Sequence, residues 1–106
     1  MTTNSSSSKD ELLREIRKLE ARLNDFLKEE ANLIENIKRF IEVLRSACEK
    51  IEKSMDMEQI KTLRLEIAQA LNNVLSGEGE VQHERSHLLE SYGTLILALE
   101  KALKDK

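Results

Sequence analysis

The residues whose types and spacing could do chemistry are His83, Glu84 and His87, inside "VQHERSHLLE" (81–90). Together they spell H-E-x-x-H. On a helix, two imidazoles four residues apart can hold zinc, with the glutamate beside the bound water. Three features oppose that chemistry. The apolar stripe of the surrounding helix centres near Arg85 and Tyr92, which sends both histidines to the solvent side. Catalytic zinc normally takes three protein ligands, and there is no third histidine. The cation of Arg85 also lies between the two ligands. The expectation is therefore no metal, no cofactor and no catalytic residue. A zinc hydrolase stands only as a distant alternative.

Other reactive groups are few. Glu30 cannot be read as a catalytic carboxylate without a companion in a cleft, no nucleophilic triad is evident, and no glycine loop could cradle a phosphate. The single cysteine, Cys48, excludes an internal disulfide and points to a reducing, cytoplasmic setting. It falls on an apolar helical face, where a buried, inert thiol is expected. Net charge is -3, with both signs interspersed. Phe26, Phe40 and Tyr92 are the only aromatics. A nucleic-acid surface normally needs a basic stripe with stacking rings, and neither is visible. No apolar run approaches membrane-spanning length.

These residues must be positioned by helices. There is no proline, and charged residues make up 35% between long apolar periodicities. "MTTNSSSS" reads as a disordered tail over 1–8. Ser8 with Glu11 fits a capping box, opening a helix near Lys9. Its seam runs Leu12, Ile16, Leu19, Leu23, Phe26, Glu30, Leu33, Ile37, Phe40, Leu44, Ala47, Ile51. From Leu27 a second row joins it, through Ile34, Ile41 and Cys48. A narrow seam suits one partner helix and a broad face suits two. Residues of about 9–28 are therefore expected to project.

Asp56 can cap a second helix carrying Ile60, Leu63, Ile67, Ala70 and Val74. "SGEGE" reads as its end, with Gly77 as a left-handed cap. A third helix follows, carrying Val81, Arg85, Leu88, Tyr92, Leu95, Leu99 and Ala102. Arg85 would then occupy a seam position, as a snorkelling side chain or a partner contact. Gly93 in mid-helix suggests a close helix approach or a kink.

Residues 67–103 resemble a BAG domain, the three-helix module that co-chaperones use on the ATPase domain of heat-shock chaperones. The resemblance lies in Ala70-Leu71-x-x-Val74, a glycine-bearing turn, Val81-x-x-x-Arg85 and Thr94-x-x-x-x-Leu99-Glu100. It covers little more than a third of the chain. In that family an acidic pair, an arginine and a glutamine make key chaperone contacts. The arginine is kept as Arg85. The other positions hold Thr62, Asn72 and Gly93, so the resemblance implies a lost or altered exchange activity.

The expected architecture is all-α. It is an up-down-up three-helix bundle, with helices of about 9–54, 57–76 and 79–104 in one domain spanning 9–106. The N-terminal half of the long first helix is expected to project as a coiled coil. The expected function is a non-enzymatic protein-interaction module, an adaptor or scaffold. It would self-associate as a homodimer through Leu12, Ile16, Leu19, Leu23 and Phe26, without nucleic acid or membrane insertion. The alternative is a co-chaperone binding a chaperone ATPase domain through Arg85, Thr62, Asn72 and Gly93.

Overall fold

The computed structural model describes the backbone of residues 2–104 and the side chains of residues 8–104. The tail expected over 1–8 lies, apart from Ser8, outside the described side chains. The chain forms two helices, α1 (Thr2–Lys53) and α2 (Met57–Lys104). Three residues join them. Ser54 N–H still donates to the Lys50 carbonyl at 3.0 Å, and the Asp56 carbonyl accepts from Ile60 N–H at 3.0 Å. Thus α1 closes on its last α-helical bond and α2 opens at Asp56, as the sequence predicts. Lys50 and Lys53 end α1, and Lys101 and Lys104 end α2, each favourable to the local dipole.

The three-helix bundle is corrected by this architecture. Residues 77–79 do not break the chain, because α2 runs straight through them. No described glycine has positive φ, so Gly77 caps nothing. The expected projection of residues 9–28 is corrected as well. One compact unit is Met1–Lys28 with Gln82–Lys106, and the other is Glu29–Val81. The first turns of α1 therefore have a partner, the last turns of α2.

The burial pattern explains why α2 continues. Its less exposed residues include the run Leu63, Ile67, Ala70, Val74, Gly77, Val81, Glu84, Leu88, Ser91, Leu95, Ala98 and Ala102, with Gln59, His87 and Ile96 besides. The steps alternate four and three without a slip across the glycines, the seam of a two-helix pair. Stopping at Gly77 would forfeit this phase. On α1 the seam is Leu12, Glu15, Leu19, Arg22, Phe26, Glu29, Leu33, Asn36, Phe40, Val43 and Ala47. It shares every second residue with the expected seam. Ile16, Leu23, Ile37 and Leu44 are replaced by their N-terminal neighbours.

Glycine has a packing role at one position. A Cβ on Gly77 would lie 3.3 Å from Asn36 Nδ2 and 3.4 Å from Leu33 Cδ1. Nearby, Asn36 Nδ2 donates to the Asn73 carbonyl at 3.3 Å, tying α1 to α2. Gly79 and Gly93 have open space. The close approach expected at Gly93 is therefore at Gly77 instead. Gly79→Ala and Gly93→Ala are each expected to stabilise by about 0.8 to 1 kcal/mol, through helix propensity alone. For a domain of roughly 100 residues this raises the melting midpoint by about 4 to 8 °C. Gly77→Ala should gain less, because Asn36 must give way. Thermal melts followed by circular dichroism at 222 nm check all three.

Candidate interaction surface

Of the H-E-x-x-H residues, the two histidines come together and the glutamate does not join them. His83 Nε2 lies 3.1 Å from His87 Nε2, with the rings edge-on, so one imidazole N–H donates to the other. His87 Nδ1 lies 3.7 Å from Glu90 Oε2. Glu84, which hydrolysis would need beside these nitrogens, instead occupies the seam. Its Oε2 is buried without a hydrogen-bond partner. Among the described residues, no three His, Cys, Asp or Glu side chains group as metal ligands. The expected solvent-side placement holds for His83, whereas His87 is only half exposed.

Arg85, expected at a seam position, is not on the seam. It is exposed, and its guanidinium carbon lies 5.8 Å from the centre of the Phe26 ring. That is cation–π range. Tyr92 is exposed too, so the true stripe of this segment runs through Glu84 and Ser91. Thr62 and Asn72 are exposed in the unit Glu29–Val81, with Thr62 Oγ1 donating to the Glu58 carbonyl at 3.0 Å. Arg85 and Gly93 belong to the other unit. Cys48, expected to be buried, is exposed.

What sequence reasoning missed is the surface beside the seam. In the unit Glu29–Val81, Leu33, Phe40, Val43 and Ala47 of α1 and Leu63, Ile67, Ala70 and Val74 of α2 are buried or half-buried. The larger aliphatic residues one position further on are exposed: Ile34, Ile37, Ile41 and Leu44 on α1, Leu71 and Leu75 on α2. Ile37 and Ile41 remain more than 40% accessible. The pattern recurs in the other unit. Leu12, Leu19 and Phe26 are half buried, while Leu13, Ile16, Leu23 and Leu27 are exposed. On α2, Leu89, Tyr92, Leu99 and Leu103 are exposed beside Leu88, Leu95 and Ala98. Of the residues expected to self-associate, then, Ile16 and Leu23 are accessible, and Leu12, Leu19 and Phe26 pack internally.

Helix geometry puts the exposed rows of each unit on one side. At about 100° per residue, the extra rows are rotated in the same angular sense from the seam on both helices. In an antiparallel pair the two senses mirror each other, so both rotations lead to the same side. The opposite side is polar. In the unit Glu29–Val81 it carries Asn32, Glu35, Arg39, Asn73 and Glu80 around a surface groove. The signal was present in the sequence as a face too broad for one partner helix. Its width reports a second, uncovered contact.

Comparison with family models, curated proteins and solved structures returns no match for the chain. Among the described residues, no helix is long and apolar enough to cross a membrane.

Proposed function

We propose that the chain is a non-enzymatic helical interaction module, acting in the cytoplasm as an adaptor or scaffold. The observation that carries this reading is the apolar side of the two-helix unit Glu29–Val81, opposed by a charged one. Ile34, Ile37, Ile41, Leu44, Leu71 and Leu75 form a face of large aliphatic side chains that water should not keep. Burying each such side chain stabilises a complex by roughly 1.5 kcal/mol at half exposure. The apolar side then supplies affinity, and the polar side keeps the complex soluble. A co-chaperone reading ranks second. Its support is the accessible Arg85, with Thr62, Asn72 and Gly93 unsuited to the remaining contacts.

A photoreactive amino acid tests the reading in living cells. Placed at Ile41 it should form a protein adduct. Placed at Arg39, on the polar side, it should not. Equal adduct yields at both positions would overturn the assignment of the face.

A further inference from the structure

We infer that the occupant of the apolar face is a second copy of this chain, so that two helical hairpins close into a four-helix bundle. The inference rests on the interaction reading above and names its partner. Three observations carry it.

The first is area. In the unit Glu29–Val81, Ile34, Ile37, Ile41, Leu44, Leu71 and Leu75 are each 41–53% exposed. Contiguous apolar surface of this extent marks an interaction site rather than the outer surface of a monomer.

The second is the division of side chains between the seam and the open face. Every second position of the α2 seam is small or polar, at Ala70, Gly77, Glu84, Ser91 and Ala98, alternating with Ile67, Val74, Val81, Leu88 and Leu95. Further large aliphatics, Leu71, Leu75, Leu89 and Leu99, stand one position from the seam and stay exposed. On α1, Asn36 takes the seam and Ile37 the open face. Only Ala47, Leu63, Val81, Leu95 and Ala98 are buried hydrophobics among the described residues, and no large side chain is fully buried. A second hydrophobic layer of this sequence therefore lies outside the hairpin seam.

The third is width. The face draws on both helices, so a single docked helix would leave part of it wet. A layer of two helices covers it. A second copy related by a two-fold axis brings such a layer with the same apolar side, self-complementary by symmetry. Two-helix layers stacked this way make a four-helix bundle, with a core of three rows per helix.

Sedimentation of the full chain at about 10 µM is expected to give twice the mass of one chain. The double variant Ile37→Glu with Leu71→Glu should weaken the dimer at least ~100-fold. Arg39→Glu, on the polar side, should leave it intact. Because the double variant can also perturb folding, a spin label on Cys48 of the otherwise native chain supplies an independent reading. Dipolar coupling between copies is expected, falling when unlabelled chain is mixed in. A monomer without coupling overturns the inference, as does any other stoichiometry. A monomer that binds vesicles of mixed neutral and anionic phospholipid also overturns it, making a lipid surface the occupant. A monomer that still gives the Ile41 adduct overturns only self-pairing and leaves the interaction module standing.

Discussion

Inserting one alanine between Glu78 and Gly79 is expected to detach the last 26 or so residues of α2 from α1. An added residue rotates everything beyond it by about 100° around the helix axis. Val81, Leu88 and Leu95 then leave the seam, and Glu80, His87 and Thr94 take their places. Losing the burial of three aliphatic side chains costs up to about 5 to 9 kcal/mol, against a typical domain stability of about 5 to 15 kcal/mol. Charged and polar groups forced onto the seam add to that loss. Backbone hydrogen exchange should accelerate throughout residues 82–104, and the thermal transition should drop or split. The same alanine placed after Met55, in the exposed connection, should cost little. A chain with a turn at Gly77–Gly79 would behave the other way and tolerate the first insertion. Equal tolerance at both places would disprove a continuous α2.

That contrast shows where the sequence was legible. Helical class, the Asp56 start and the lysine-rich ends follow from local chemistry, and the structure has them. The seam of α1 was half legible. Leu12, Leu19, Phe26, Leu33, Phe40 and Ala47 were read correctly because they are apolar and face α2. The companion row was misread as Ile16, Leu23, Ile37 and Leu44, since hydrophobic periodicity reports the whole apolar face. It does not say which part a chain covers for itself. Glu15, Arg22 and Asn36 face α2 despite their polarity, so no apolar pattern could mark them. Gly77 was misread for a different reason. Glycine disfavours a helix by about 1 kcal/mol, which a continued seam easily outweighs. The phase of Leu63, Ile67, Ala70 and Val74 runs through Gly77 to Val81 unbroken, and that phase was the available signal. Arg85 and the histidines inherited the error, being placed relative to a stripe centred one residue too far along.

Glu15→Leu is expected to stabilise the protein strongly. Glu15 is 6% exposed, on the side of α1 that meets α2. Its Oε2 has no hydrogen-bond partner. The nearby cations compensate weakly. Lys18 Nζ stands 3.7 Å from Oε2 and Arg14 Nε 3.8 Å from Oε1, and both cationic side chains are mostly in water. A carboxylate so placed has lost hydration without gaining an equivalent partner. Leucine at the same position removes that penalty and buries an apolar side chain between Leu12 and Leu19. The gain should be about 2 to 4 kcal/mol, the range seen when buried charges yield to packed hydrophobes. Glu15→Gln separates the two contributions. It removes the charge but leaves a buried amide, so it should gain less than half as much. Denaturant melts at fixed chain concentration measure both, and fixing the concentration keeps any association constant between variants. Should leucine instead destabilise by a similar amount, the carboxylate must be paired with a cation that this chain does not supply. That result would place a partner's lysine or arginine beside residue 15. It would also turn a buried, unsatisfied carboxylate of α1 into a marker of the interface.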